Sequence, residues 1–343
     1  MKIKTPAFWY RDNKDRPKIW EHLLSPLSHI YKACDKKNRE KQTPQKVDVP
    51  VMCVGNLTAG GSGKTPTAIA LANMLVEKNI VKTPYFVTRG YGGSNKKTRR
   101  ITVHDTPSET GDEPILLVKH CKTIVSVNRY DGAQMATAEG ADLIILDDGF
   151  QNNSLHKDIS ILVIDGKRGF GNRKILPAGP LRETPSAGFE RSDIVIIIGD
   201  DQHKISQDIP DKSPVFFANV EPCTDQERKQ KNKYIAFAGL GIPEKFKDTL
   251  IENNYSLIDF IPFPDHYKYK EKELEQLLKR AETQNATLIT TEKDILRIPP
   301  KYSKHIQTLP IRLRFEQENA LSEYLEEKIN TVKAKKRKPH EKS

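Results

Sequence analysis

Cysteine is scarce in this chain, and its four copies stand apart: Cys34, Cys53, Cys121 and Cys223 form no CxxC pair among 343 residues. That scatter excludes a disulfide framework or a zinc-ligand spacing and makes a reducing, cytoplasmic setting the default. Cys53 reads as a small core residue within an apolar run. Long apolar runs are missing too. No stretch nears the ~18 consecutive apolar residues of a membrane span, and the N-terminus lacks the continuous apolar core of a secretion signal. The expectation is a chain that does not cross a bilayer, although it can still lie on one. Acidic residues are in deficit: 45 Asp and Glu against 56 Lys and Arg leave a net charge of +11. The resulting pI near 9.2 favours anionic partners, whether nucleic acid, nucleotides or an acidic membrane, and charge alone does not choose among them. What is present is enough for a core. The apolar fraction is 36%, the mean hydropathy is −0.62, and the length suits two domains.

Residues 1–46 form a basic segment with Trp9, Tyr10 and Trp20 near its start. Apolar residues at 19, 20, 23, 24, 27, 30, 31 and 33 make a helical stripe, which Pro26 should bend or end at a turn. Basic residues follow at 32, 36, 37, 39 and 41. This is either a helix packed on its own domain with a solvated linker behind it, or an interfacial helix with cations facing acidic lipid. From Val47 the texture changes to short apolar runs at 49–54, 84–88, 123–127, 142–147, 160–165 and 193–198. These suit buried parallel strands, with a helical pattern between the first two. The alternation predicts an α/β domain over 47–225 with a mainly parallel sheet and helices on both faces. A lysine-rich stretch from Pro222 to Lys233 reads as a boundary. A smaller α/β domain over 226–332 and a charged, disordered tail over 333–343 complete the expected organisation.

The most informative segment runs from Val54 to Pro66: a strand, then Thr58-Ala59-Gly60-Gly61-Ser62-Gly63, then Lys64-Thr65 opening a helix. Phosphate oxygens need backbone N–H groups at close range, a helix N-terminus and an ammonium, and this order supplies all three. Thr58 stands where the general loop pattern has its first glycine. The run Leu143-Ile144-Ile145-Leu146-Asp147-Asp148 supplies the complementary feature, a carboxylate at a strand's end that can hold Mg²⁺ beside the Thr65 hydroxyl. Together they predict a P-loop NTPase-like fold that binds a nucleoside triphosphate over Thr58–Thr65.

Eight segments in order then resemble the tetraacyldisaccharide 4′-kinase family, over roughly residues 20 to 330. They are Val54–Gly61 with Gly63–Pro66; Thr88-Arg89-Gly90-Tyr91-Gly92; Gly111-Asp112-Glu113-Pro114; Asp147-Asp148-Gly149-Phe150-Gln151; Ile164-Asp165-Gly166; Leu176-Pro177-Ala178-Gly179-Pro180-Leu181-Arg182-Glu183; Asp265-His266; and Thr291-Glu292-Lys293-Asp294. Thr58 is itself part of that family's pattern. The resemblance implies transfer of the ATP γ-phosphate, with Mg²⁺, to the 4′-hydroxyl of an acylated glucosamine disaccharide 1-phosphate. It also implies a peripheral position on the cytoplasmic face of the bacterial inner membrane, and it weights the N-terminal helix towards docking on an anionic membrane surface.

Asp112 matches the family's catalytic carboxylate, and His266 its partner histidine in the other domain, so that closure of the smaller domain would complete the site. Lys64 would neutralise charge on the transferred group. Asp148 is either a second Mg²⁺ ligand or a group supporting the first. Asn56, Arg89, Tyr91, Arg129, Gln151 and Arg182 are the candidates for binding the disaccharide and its 1-phosphate, each of them equally readable as scaffold. On residues alone, Asp112 can instead cap the helix beginning near Pro114, and His266 can be a structural hydrogen-bonder. Glu292, Lys293 and Asp294 suit domain packing or an ATP contact. A GTPase would need an Asn-Lys-x-Asp guanine signature, which is lacking. A nucleic-acid binder would need aromatics interleaved with its cations, whereas the excess cations lie mainly at the two ends. The expectation is therefore no nucleic-acid partner, and no obligate protein partner is evident.

Overall fold

The structure is a computed structural model describing residues 6–10, 19–40, 42–223 and 232–337. Lys41, most of the lysine-rich boundary stretch and the last six residues of the tail lie outside the described residues, as do the side chains of Lys36 and Arg39. The chain divides into two compact units. One comprises Pro6–Asn219 and the chain from Arg314 onward; the smaller is Val220–Leu313.

The larger unit opens with α1 (Ile19–Glu40), β1 (Val51–Gly55), α2 (Lys64–Glu77), β2 (Pro84–Thr88), β3 (Arg99–Ile101), α3 (Pro107–Thr110) and α4 (Asp112–Leu117). It continues through β4 (Lys122–Val125), α5 (Arg129–Ala138), β5 (Leu143–Asp147), β6 (Ile159–Asp165), α6 (Pro185–Glu190), β7 (Ile194–Ile198) and β8 (Val215–Pro222). The smaller unit holds β9 (Lys233–Ala238), α7 (Glu244–Glu252), β10 (Ser256–Pro262), α8 (Glu271–Thr283), β11 (Ala286–Thr291), α9 (Glu292–Ile295), α10 (Pro300–Ser303) and β12 (Gln307–Leu309). The chain returns through β13 (Ile311–Phe315) into α11 (Glu318–Arg337).

The larger sheet has nine strands in the order β13-β8-β7-β6-β1-β5-β2-β4-β3. Strands β8 through β4 in that order run parallel, and β3 pairs antiparallel on β4. All seven residues of β6 and all five of β1, β2 and β5 are buried. Continuous burial of this kind requires cover on both faces of the sheet, which is what the unbroken apolar runs predicted. Its core includes Val51, Cys53, Tyr85, Val87, Ile144, Leu146, Leu162 and Val195. The smaller sheet, β10-β9-β11-β12, is parallel throughout.

Strands β8 and β3 escaped the sequence reading, each for a visible reason. The β8 strand is only partly buried along its length, and β3 is a three-residue edge pair of arginines with one isoleucine. Neither presents the apolar run of a buried strand. At Pro26, expected either to bend the helix or to end it at a turn, α1 continues to Glu40; at the other end of the chain an expectation is corrected. The tail does not lose structure at Lys333, because α11 runs on to Arg337. The Lys336 ammonium holds that end in place, donating to the carbonyls of Val47 (2.7 Å) and Val49 (3.1 Å) and pairing with Asp158 at 2.9 Å.

Candidate functional site

Strand β1 lies at the middle of its sheet, with β5 on one side and β6 on the other. The register sets Val54 opposite Asp147, so the loop leaving β1 and the carboxylates ending β5 emerge at the same carboxyl edge, where α/β sheets bind ligands. The loop delivers the chain into α2 through Gly63, whose φ of 90° a side chain would tolerate poorly. No side chain caps α2, a helix of 14 residues, and its first N–H groups and positive dipole end face the loop. Within the loop, the Ser62 hydroxyl is buried without a hydrogen-bond partner. Thr58 and Ala59 serve differently from Gly60–Thr65: they root the loop. The Thr58 carbonyl and hydroxyl accept from the Asn56 amide at 2.7 and 3.2 Å, and the Ala59 N–H donates to the Pro180 carbonyl at 2.7 Å.

The two halves of the expected site meet. Thr65 Oγ1 donates to Asp147 Oδ2 at 2.9 Å, while Asp147 Oδ1 is buried with no partner. Burial, followed by the neighbouring Asp148 charge, pushes the Asp147 carboxyl up to about 7. Asp148, at φ 55°, lies 3.7 Å from Lys64 Nζ and 3.1 Å from Arg182 Nη1. Burial raises Asp148, but Lys64 and then Arg182 outweigh it and hold the carboxyl below its usual range. Lys64 in turn is pushed down by burial against the pull of Asp148. Two carboxylates one residue apart are therefore driven in opposite directions.

The other expected residues divide into groups. Asp112 is buried as the first residue of α4, with Gly111 rather than Asp112 in the capping position. The backbone of Gly90 and Tyr91 lies directly against Gly111, so the turn bearing Arg89 and the exposed Tyr91 adjoins Asp112. Arg129 is buried, with Nη1 donating to the Ser126 carbonyl at 2.8 Å and Nε without a hydrogen-bond partner. Burial pulls its guanidinium down to about 10, against Asp148. Gln151 and Arg182 are bonded to each other (3.0 Å), and Gln151 also donates to the Asn56 carbonyl at 2.8 Å and to Glu183 at 3.2 Å. Arg191 closes this chain on Glu183 and lies 4.7 Å over the Phe150 ring. In the smaller unit, His266 follows β10 at φ 52°, with Nε2 3.8 Å from Asp265 Oδ1.

Two residues near the site had no role in the sequence reading. Glu113 adds its negative charge to both Lys64 and Asp147. Glu183 is a buried carboxylate that fixes which way the Gln151 amide points. Both stood inside recognised segments, but nothing in their spacing revealed those partners.

An uncapped helix behind a glycine loop, with Lys64 and Thr65 facing Asp147 and Asp148 at a parallel sheet's carboxyl edge, defines a P-loop phosphotransferase. The model of the tetraacyldisaccharide-1-P 4′-kinase family matches residues 20–330. The tetraacyldisaccharide 4′-kinase of Paramagnetospirillum magneticum is 39% identical over 323 residues, 93% of this chain and 97% of that protein. That of Parvibaculum lavamentivorans is 41% identical over 302 residues, 86% and 87% of the two chains. Among solved structures, the apo-form LpxK of Aquifex aeolicus in complex with ATP aligns at a TM-score of 0.72 and 28% identity, over 91% of this chain and 99% of that one. This chain belongs to the tetraacyldisaccharide 4′-kinase family, and it is a kinase.

Proposed function

We propose that this enzyme transfers the γ-phosphate of ATP to the 4′-hydroxyl of tetraacyldisaccharide 1-phosphate, yielding lipid IVA in lipid A biosynthesis. The observation that carries the reading is the Thr65–Asp147 pair with its unpartnered Oδ1, set at the open N-terminus of α2. A hydroxyl and a carboxylate oxygen are hard donors that fit Mg²⁺, a cation usually held in nucleotide sites by one or two such groups together with the phosphates. Thr65 and Asp147 would hold that ion, with Asp148 beside them, and it would neutralise charge on the phosphate oxygens. The loop amides from Gly60 to Thr65 hold and orient the triphosphate, and Lys64 places its ammonium against it. Asp112 accepts the proton of the attacking sugar hydroxyl. His266, in the smaller unit, is the second residue assigned to turnover on the family pattern. Asn56, Arg89, Tyr91, Arg129, Gln151 and Arg182 are assigned to the disaccharide and its 1-phosphate.

The acceptor is an amphiphile, and α1 offers it a surface. Ile19, Trp20, Leu23, Leu27 and Ile30 are each between 50% and 64% exposed, in a stripe along one side of the helix. From elsewhere on α1, Ser28 donates to the Ile175 carbonyl at 2.7 Å. No described helix is long and apolar enough to cross a membrane. We assign this stripe to peripheral docking on the acidic cytoplasmic leaflet of the inner membrane, with the basic N-terminal segment adding electrostatic attraction. Purified protein incubated with labelled ATP and the lipid disaccharide 1-phosphate should yield a doubly phosphorylated lipid. Absence of that product, with the protein folded, would overturn the assignment.

A further inference from the structure

Asp294 lies at the heart of the smaller unit with no exposed surface, yet it carries a full set of donors. Its Oδ1 accepts from the Gly239 N–H (3.0 Å), the Tyr269 hydroxyl (2.8 Å) and Arg297 Nη1 (3.1 Å), and its Oδ2 from the Thr291 hydroxyl (2.6 Å). The same Arg297 nitrogen donates to the Gly239 carbonyl at 3.1 Å, and that carbonyl also accepts the backbone N–H of His266 at 3.2 Å. The Gly239 peptide is thus gripped on both sides, by Asp294 on its nitrogen and by Arg297 and His266 on its oxygen. The grip leaves little room for a side chain: a Cβ at Gly239 would sit 3.0 Å from Asp294 Oδ1 and 3.1 Å from both the Pro264 carbonyl and the Tyr269 hydroxyl, so its neighbours would have to give way.

His266 itself has a left-handed backbone, at φ 52°, which a non-glycine residue keeps only where its surroundings over-determine it. Those surroundings are visible. Phe263, Tyr267 and Tyr269 bracket His266 in sequence and pack against one another, with ring centroids 4.9 to 5.5 Å apart. Tyr269 is the ring whose hydroxyl ends on Asp294. Stability alone does not call for so polar a centre, since a buried ion pair gains little over apolar packing but imposes one geometry.

We propose that Asp294 is a positioning residue for His266, acting through the Gly239 peptide and the Tyr269 ring. Asp294 then serves the reaction from the interior of the smaller unit. The proposal rests on His266 contributing to turnover, and its test separates the two claims. The full-length enzyme is assayed as wild type, H266A, D294N and the H266A/D294N double variant, with folding followed by circular dichroism. D294N is expected to lower kcat by up to about 10²-fold with KM for ATP unchanged, the scale of a displaced catalytic group. In the H266A background the same substitution should cost nothing further, because residues acting as one unit are not additive. Y269F, which keeps the ring and removes one hydrogen bond, should show the same pattern at smaller size, and it carries the test if D294N fails to fold. If H266A is impaired and both substitutions multiply its loss undiminished, Asp294 is only a scaffold residue and the proposal falls. An H266A enzyme with wild-type kcat would remove the histidine from the reaction, and the proposal with it.

Discussion

Replacing Asp147 by asparagine should abolish turnover and yet stabilise the resting enzyme at alkaline pH. In the fold the Asp147 carboxyl is raised from 3.8 to about 7, chiefly by burial. A raised acid favours the protonated form, so its contribution to stability is fully present below the unfolded value. That contribution is lost as the pH climbs through the folded one. Between pH 5 and pH 7 the folded carboxyl must give up its proton while the unfolded one is already ionised. At about 1.4 kcal/mol per unit, the loss over these two units is about 3 kcal/mol. Asparagine has no proton to lose. Urea unfolding of wild type and D147N, followed by circular dichroism without nucleotide at pH 5 and pH 8.5, should show the stability difference moving by that amount in favour of D147N. Adding Mg²⁺ and ATP should reverse the trend for the wild type alone, since a cation at Oδ1 favours the carboxylate. Equal pH dependence of the two proteins would refute the account of Asp147 as a buried group awaiting a cation.

The remaining predictions concern separate parts of the molecule. K64A should abolish kinase turnover in the radiolabel assay, and near-wild-type activity would dismiss the phosphate cradle. D112A should lower kcat by about 10²-fold or more, the scale of general-base loss, and an unchanged kcat would remove its role. Replacing Leu23, Leu27 and Ile30 together by serine should weaken sedimentation with anionic vesicles and spare ATP binding, and unchanged sedimentation would free α1 from its membrane assignment. These substitutions are cleaner than removing residues 1–40, because Trp9 is buried and donates its indole N–H to the Pro177 carbonyl. K336A should destabilise the protein by about 1–3 kcal/mol in urea unfolding, leaving the Val47 and Val49 carbonyls without their donor. No measurable change would show that the end of α11 is not anchored.

Much of the larger unit was legible because parallel strands buried on both faces are written as unbroken apolar runs. Residues 84–88 matched β2 without shift, and the other runs matched their strands to within a residue or two. The phosphate loop was legible because a glycine at Gly63 and the Lys64-Thr65 pair are local in sequence. Contacts between distant segments were not. The bonds from Ala59 to Pro180 and from Gln151 to Glu183 join stretches whose proximity is set by the sheet order, which no local pattern encodes. Gln151 and Arg182, readable from sequence as substrate contacts or as scaffold, are bonded to each other beside Asp148, a pairing invisible when residues are weighed one at a time.

The chain leaves the larger unit after Asn219 and comes back at Arg314, so the smaller unit is an insertion in its host. On the ribosome this ordering matters. The inserted segment is contiguous and is fully synthesised while the host still lacks the end of β13 and all of α11. Strand β1, made early, must therefore wait for the clamp that Lys336 applies beside it, and the nucleotide-handling half is the last part of the molecule to be finished.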